Sequence, residues 1–320
     1  MNFLLSFLNS VPGAVGQGLA WGIMAIGVYI TYRVLDIADL TVDGSLATGG
    51  AVAAICISLG LNPWIALLLA VMAGMLAGLA TGFFHTFCGI PAILAGILTQ
   101  LGLYSLNLRI MAIGSKAKTM ATVALSVDNQ DLLLSSRYVR NWGLKVESLD
   151  QLNPIFLLAI FCIALIAALY WFFGTELGCS MRATGANQNM ARAQGINTDS
   201  RKVLGLVLSN GLVALAGGLL AQYQGSATVD MGRGAIVIGL AAVIIGEVVF
   251  KRFLNFSLKM LAVIMGAIIY YLVIALVLRL GLESTDLKLL TALVVAGFLT
   301  VPYLMGKRRA NLKKGGKTNA

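Results

Sequence analysis

Residues 44–84 read GSLATGGAVAAICISLGLNPWIALLLAVMAGMLAGLATGFF, a stretch without a single charged side chain. An uncharged, mostly apolar run of roughly 20 residues is long enough to cross the hydrocarbon core of a bilayer as a helix. The pair Asn62-Pro63 divides the stretch, because proline breaks a helix and an Asn-Pro pair marks a turn. We therefore predict two membrane-spanning helices here, joined by a tight turn.

Similar apolar runs recur along the chain. Backbone groups in lipid must form their hydrogen bonds with one another, as they do in helices. The apolar runs therefore predict an all-α polytopic membrane protein with about nine transmembrane segments. The runs are residues 13–32, 44–60, 63–84, 89–108, 154–174, 203–223, 234–250, 259–280 and 287–304. Only 11% of the residues are charged, against about 25% in soluble domains, so a water-soluble globule is excluded.

The distribution of charge predicts the domain organisation and the orientation. A transmembrane domain, residues 1–306, is followed by a basic tail, residues 307–320. The net charge of +10 resides between apolar runs and in the tail, which predicts a lipid bilayer and not nucleic acid as the partner. Because basic loops stay in the cytoplasm, the tail and residues 175–202 are predicted to be cytoplasmic and residues 110–153 external. Nine crossings then place the N-terminus outside, and no cleaved signal peptide is predicted.

A weak internal repeat relates the second and seventh segments. Residues 43–52 read DGSLATGGAV and residues 234–243 read GAIVIGLAAV, and the spacing of Gly44 and Gly49 recurs in Gly234 and Gly239. The second segment runs outward and the seventh inward, so the two would be inverted copies with discontinuous helices. Such pairs point to the midplane pathway of a transporter. Coincidence in a chain rich in glycine, alanine and valine is the alternative, and the sequence leaves both open.

Two acidic residues lie within apolar segments, where charge is costly and therefore a functional candidate. Asp43 begins the second segment and Glu247 lies late in the seventh. We favour a structural role for each: Asp43 can cap a helix N-terminus, and Glu247 can pair with Lys251 one turn on. Substrate or proton binding is the alternative for both.

No catalytic constellation and no metal site is recognised. The four cysteines and the single His85 fit no zinc pattern. Residues 316–318 mimic the end of a phosphate-binding loop, but Asn311 stands where its leading glycine is needed. We therefore predict that this chain is not an enzyme and binds no cofactor of its own. If transport is driven by ATP, then ATP and Mg belong to a separate subunit.

Residues 175–202 are long for a cytoplasmic loop of a compact membrane domain. Asn187 is predicted to cap a short helix, residues 188–194, that ends at Gly195. A surface helix with small and basic residues can dock in a groove of another protein. The alternative is a solvated connector, which has no need of such closely spaced glycine and alanine.

This loop carries a resemblance to a known family. MRATGAN at 181–187, MARAQGIN at 190–197 and the following KVLGLVLSNGLVALAGGL at 202–219 resemble the coupling loop and next helix of ABC importer permeases, in the broad family of branched-chain amino-acid and ribose-type permeases. The resemblance implies that the loop seats in a cleft of an ATP-binding subunit. The implied coupling residues are Arg182, Thr184, Gly185, Ala186, Asn187, Ala191, Arg192, Gly195 and Ile196.

Two further stretches narrow the resemblance. DLTVDGSLATGG at 39–50 and VIIGEVVF at 243–250 are similar to a subgroup that is paired with lipoprotein-type binding proteins and, in some members, linked to tryptophan or other aromatic amino acids. Branched-chain permeases typically carry Gly-Gly where this chain has Gly246-Glu247. An amino acid is therefore the expected solute, with an aromatic one such as tryptophan as the narrower option; a sugar, a nucleoside and a branched-chain amino acid are the alternatives.

The resemblance also implies a mechanism and partners. It implies alternating access in a permease dimer, expected to be a homodimer, in a bacterial-type plasma membrane. The implied partners are two ATP-binding cassette ATPase subunits, which hold ATP and Mg, and an extracytoplasmic solute-binding protein or lipoprotein. The implied pathway residues are Asp43, Gly44, Ser45, Thr48, Gly49, Gly234, Gly239 and Glu247.

Two other classes of protein compete with this interpretation. A stand-alone channel or secondary transporter would need a selectivity ring or a buried titratable relay. A membrane-embedded enzyme would need a catalytic constellation. The sequence shows neither feature clearly.

Overall fold

The computed structural model describes residues 2–125, 132–134, 154–250 and 255–279, with scattered residues between 289 and 300. Eight elements of this described part are long and apolar enough to cross a membrane. They confirm an all-α, multi-pass membrane protein.

Three predicted regions lie wholly or mostly outside the described residues. They are the ninth segment, residues 287–304, the tail, residues 307–320, and the larger part of the loop at residues 110–153. The number of crossings beyond eight therefore stays a prediction, as does the side on which each end of the chain lies.

Helix α1 (Asn2–Tyr29) continues into a π-helical turn (Ile30–Val34). The other helices are α2 (Thr41–Ser58), α3 (Pro63–Thr86), α4 (Ala92–Ile110), α5 (Pro154–Gly174), α6 (Glu176–Ala186), α7 (Gln188–Ala193), α8 (Thr198–Gln224), α9 (Ala235–Val249) and α10 (Phe256–Arg279). Each predicted span on described residues corresponds to one of these helices. The turn at Asn62-Pro63 is also confirmed, because Pro63 begins α3 and the Asn62 side chain accepts a hydrogen bond from the Trp64 amide at 2.9 Å.

A short two-stranded sheet joins distant parts of the chain. Strand β1 (Thr122–Ala124) pairs antiparallel with β2 (Ser226–Thr228), so that Val123 lies opposite Ala227. A 3-10 turn (Val229–Gly232) follows β2 and leads towards α9. The sheet therefore connects the segment after α4 to the segment between α8 and α9.

Helix α8 lies at the centre of the bundle and packs against α1, α2 and α3. Glycines on α3 allow a close approach to α8, because a Cβ atom at Gly74 would collide with the Asn210 carbonyl and one at Gly78 with the Leu206 carbonyl. These glycines form a packing surface on α3, as small residues do in other membrane helices.

Two crossings are part helix and part irregular chain. Residues 35–40 are not helical and bring the chain to Asp39, which is hydrogen-bonded to Asn210 near the middle of α8. Helix α2 therefore begins at about half the depth of the bundle, and it then runs unbroken to Ser58. The predicted discontinuity of the second crossing thus lies ahead of its helix.

The seventh crossing has the opposite direction. The chain leaves the end of α8 through β2 and the 3-10 turn and reaches Gly232, where a Cβ atom would collide with the Asp43 carbonyl. Helix α9 therefore starts at the same depth as α2. Helices α2 and α9 thus start at the same depth and run in opposite directions, and an irregular segment precedes each of them. An inverted repeat predicts this arrangement.

We expect the substitution Gly78→Leu to destabilise the protein by about 1–3 kcal/mol or more, because overpacking forces the α3 and α8 backbones apart. The check is the melting temperature of the purified full-length chain in detergent. Gly102→Leu on α4 is the matched control, since a Cβ atom there meets no other atom within 4 Å. Equal melting temperatures for the two variants would contradict this packing.

Candidate functional site

The N-termini of α2 and α9 meet at Asp43. The Asp43 carboxylate accepts hydrogen bonds from the Gly234 amide at 3.0 Å and from the Ile236 amide at 2.9 Å. A carboxylate at this place satisfies unpaired N–H groups and complements the helix dipole. The predicted capping role of Asp43 is confirmed, but the helix that it caps is α9 and not its own.

The start of α2 is capped by a second acid, Asp39, which is buried. One carboxylate oxygen accepts from the Thr41 amide at 2.9 Å, and the other accepts from the Asn210 side-chain amide at 2.7 Å. The Asn210 side-chain oxygen in turn accepts from the Ser45 hydroxyl at 2.6 Å. The network fixes the first turn of α2 to the middle of α8, since buried polar groups need such partners.

A row of threonine hydroxyls lies beside this network. Thr41 and Thr81 are 2.7 Å apart, and Thr81 donates to Thr99 at 2.9 Å. The three residues belong to α2, α3 and α4, and all are buried. Hydrogen bonds of this kind hold membrane helices together, so α4 has a fixed position relative to the start of α2.

A recess of about 300 Å³ opens between α2, α4 and the residues that follow the 3-10 turn. Asp43 and Arg233 both line it, and α4 contributes Gln100, Tyr104 and Asn107. These three residues share one helix face because they are spaced i, i+4 and i+7. The same spacing was the signal from which sequence reasoning could have found them.

Of the predicted pathway residues, Asp43 and Gly44 line the recess. Gly44 allows α4 to approach, because a Cβ atom there would lie 2.9 Å from Leu103 Cδ1. Gly234 has the left-handed backbone (φ 84°) that turns the chain into α9.

Four other predicted pathway residues lie between packed helices: Ser45, Thr48, Gly49 and Gly239. Thr48 donates to the Gly44 carbonyl of its own helix at 2.9 Å. A Cβ atom at Gly49 would collide with the Ala214 carbonyl, and one at Gly239 would lie 2.8 Å from Val28. Their contribution to a pathway stays a prediction.

Glu247 pairs with Arg33, 214 residues away in the sequence. The Arg33 Nε–Glu247 Oε1 distance is 2.7 Å, and a second contact joins Arg33 Nη2 to Oε2. The predicted partner, Lys251, lies outside the described residues, so that pair stays a prediction beside the observed pair with Arg33. The π-helical turn brings the Arg33 guanidinium to the last turn of α9. The guanidinium is planar, and two of its N–H groups can bond the two oxygens of a carboxylate.

The helix predicted within residues 175–202 is confirmed as α7 (Gln188–Ala193). The Asn187 side chain accepts from the Met190 amide at 3.0 Å and so caps the helix as predicted. Gly195 has a left-handed backbone (φ 80°), which ends the helical path.

Helix α6 rests on the π-helical turn. A Cβ atom at Gly185 would collide with the Val34 carbonyl, and Thr184 is buried with its hydroxyl donating to the Ser180 carbonyl at 2.8 Å. The turn that carries Arg33 is therefore covered by α6.

The other predicted coupling residues divide into inner and outer ones. Ala191 is buried and Ile196 half-buried, whereas Ala186 is exposed. Arg182 is also exposed and lies over the Phe256 ring, with 5.8 Å between the guanidinium carbon and the ring centroid. Arg192 donates to the Thr198 hydroxyl at 2.8 Å and thereby ties α7 to the start of α8.

Among the described residues, no group of three or more His, Cys, Asp or Glu side chains is placed to hold a metal ion. The absence of a cofactor on this chain stays a prediction.

Comparison with known proteins gives a family match over most of the chain. A family model described as "Branched-chain amino acid transport system / permease component" matches residues 12–301. The chain is 38% identical to a "Tyrosine transport system permease protein" of Clostridioides difficile (strain R20291), over 98% of this chain and 96% of that protein.

More distant relatives also match. The "Ribose import permease protein RbsC" of Escherichia coli (strain K12) is 28% identical over 66% of this chain and 60% of its own length. The structure of an ABC transporter in an inward-facing conformation also matches, over 93% of this chain and 86% of that chain, with 16% identity and a TM-score of 0.48.

We expect Asp43→Asn to destabilise the protein by about 1–3 kcal/mol, because the amide nitrogen would face a buried N–H donor of α9 and leave it unpaired. The check is the melting temperature of the purified chain. Asp36→Asn is the control, since Asp36 is exposed and has a φ of 56°, which asparagine tolerates. If both variants had the melting temperature of the natural chain, the Asp43 carboxylate would not stabilise the start of α9.

Proposed function

We propose that this chain, which belongs to the family of branched-chain amino acid transport system permease components, is the membrane subunit of an ATP-driven importer of an aromatic amino acid. The observation that carries the proposal is the 38% identity, over 98% of the chain, to a tyrosine transport system permease protein. An identity of this level over the full length favours a related solute. The ribose import permease is less similar and matches a shorter part of the chain.

The Gly246-Glu247 pair agrees with a solute other than a branched-chain amino acid. A Cβ atom at Gly246 would collide with the Ala262 carbonyl of α10, so the first position needs a glycine in this fold. The second position holds the acid that pairs with Arg33. The residue that departs from Gly-Gly, Glu247, thus forms an ion pair that joins α9 to the π-helical turn after α1.

Energy would enter through α6 and α7. In the proposal an ATPase subunit binds the exposed side of these helices, which carries Arg182, Ala186 and Arg192. Helix α6 lies on the Val34 carbonyl, and the chain continues from Val34 through residues 35–40 into α2. A displacement of α6 would therefore reach both Asp39 and the Arg33–Glu247 pair.

The remaining partners follow from the same proposal. Two copies of the chain would form the pathway, two ATPase subunits would hydrolyse ATP with Mg, and a solute-binding protein or lipoprotein would deliver the amino acid. The C-terminal tail would lie in the cytoplasm with α6 and α7, as its basic residues predict.

The test is a mild-detergent purification of the chain from its native membrane, followed by uptake measurements with the recovered complex in proteoliposomes. We expect an ATPase with a phosphate-binding loop to co-purify and uptake of labelled L-tyrosine or L-tryptophan to require ATP. Uptake that needs no ATPase would overturn the proposal in favour of a secondary transporter or channel. ATP-dependent uptake of ribose alone would overturn the substrate class.

We expect Gly185→Leu to uncouple ATP hydrolysis from uptake, because the leucine would push α6 away from the Val34 carbonyl. Uptake should fall by about 5–150-fold, the usual range of coupling between sites, while ATP hydrolysis persists. Gly174→Leu is the matched control, since a Cβ atom there meets nothing within 4 Å. Coupled uptake at the natural rate in Gly185→Leu would contradict the role of this contact.

A further inference from the structure

We propose that the recess between α2, α4 and Arg233 is the site that holds the amino acid within the membrane part of the protein, through its ammonium and carboxylate groups. The inference rests on the proposed function and deepens it, because it names the side chains that recognise the solute. Its residues are Asp43, Gln100, Tyr104, Asn107 and Arg233.

The first observation is an unused amide. Asn107 is 1% exposed, and within the described part of the chain neither its side-chain nitrogen nor its oxygen has a hydrogen-bond partner. A buried polar group without a partner is unfavourable, and this one lines the recess. The side chain offers a donor and an acceptor to a molecule bound there.

The second observation is that two side chains of opposite charge, Asp43 and Arg233, line the recess. Arg233 pairs with Asp230 through Nε at 2.8 Å, and this contact leaves the two Nη groups available to a carboxylate. Asp43 uses each carboxylate oxygen for one backbone N–H, and each oxygen can accept a further bond. A zwitterion meets both charges, with its carboxylate at Arg233 and its ammonium at Asp43, whereas a neutral sugar meets neither.

The third observation concerns the size of the recess and its aromatic wall. A volume of about 300 Å³ is at the small end for ligand sites, which range over about 300–1,000 Å³, and it suits a single amino acid. Tyr104 lines the recess beneath Arg233, with 5.8 Å between the guanidinium carbon and the ring centroid. Its ring provides a flat surface for the side chain of an aromatic solute.

The position of the recess fits a transported molecule. It adjoins the depth at which α2 and α9 begin, and Val229, next to β2, forms part of its wall. A solute bound there would touch the α9 cap at Asp43. A movement of α9 would therefore change the site directly.

The test measures protection of an introduced cysteine by the solute. The full-length chain, with its four native cysteines replaced by alanine, is placed in lipid nanodiscs with Leu101→Cys or Leu106→Cys. Both leucines are exposed on α4, at 64% and 53%, but only Leu101 lines the recess. The probe is N-ethylmaleimide, and the rate of modification is followed by mass spectrometry.

L-tyrosine is expected to slow modification at Leu101→Cys by about tenfold when its concentration is about ten times its dissociation constant. The rate at Leu106→Cys should not change. Tyramine, which lacks the carboxylate, and 3-(4-hydroxyphenyl)propionate, which lacks the ammonium, should protect far less at the same concentration. Equal rates with and without L-tyrosine, or equal protection by all three compounds, would overturn the site.

Two further variants in the Leu101→Cys background test the named side chains. Asn107→Leu, of similar size, and Arg233→Gln should each remove the protection, while Arg109→Gln on the exposed side of α4 should retain it. Melting temperatures confirm that the variants fold. Protection that survives both recess variants would overturn the assignment.

Uptake by the unaltered complex separates this inference from the proposed function. ATP-dependent uptake of L-tyrosine without protection at Leu101→Cys would leave the function standing and refute the site. Absence of any aromatic amino-acid uptake would refute the proposed solute and, with it, the site.

Discussion

A helix that begins in the middle of a membrane protein exposes N–H groups where no water can satisfy them. This constraint shapes the centre of the molecule. Asp39 supplies the acceptor for α2, and Asp43 supplies the acceptors for α9. Because Asp43 belongs to α2 and caps α9, one carboxylate fixes the distance between the starting points of the two helices. The recess, the cap and the threonine row all take their positions from this junction.

The helices around the junction differ in how they are held. Helices α2, α3 and α8 touch through glycines at which a Cβ atom would collide with backbone, and the Asp39–Asn210–Ser45 network crosses the same contacts. Helix α9 is held near its ends by polar groups, Asp43 at one end and Arg33 at the other. Polar contacts of this kind can exchange partners, whereas close-packed backbones cannot shift without opening a void. Helix α9 also packs closely on α10, where a Cβ atom at Gly246 would collide with the Ala262 carbonyl, so a movement of α9 relative to the α2–α3–α8 block would carry α10 with it.

Much of the fold could be predicted from the sequence, because hydropathy, helix breakers and caps are local signals. The membrane spans, the turn at Asn62-Pro63 and the cap at Asn187 all followed from residues close to one another. The partner of Glu247 did not, since Arg33 is 214 residues distant and only the π-helical turn brings it near. The α4 side of the recess was missed for a different reason: Gln100, Tyr104 and Asn107 are uncharged, and a hydropathy scan averages over the spacing that places them on one face.

The six residues between the π-helical turn and α2, residues 35–40, also set a rule of length. An α-helix turns by about 100° per residue, so α2 would rotate by that angle if its register shifted to absorb the loss or gain of one residue in this segment. That rotation would withdraw Asp43 from α9 and Gly49 from Ala214 in the same step. The segment can change its composition at exposed positions such as Asp36. Its length is fixed by the positions of the π-helical turn before it and of α2 after it. Insertions and deletions should therefore be absent from this short connection in functional descendants of the chain.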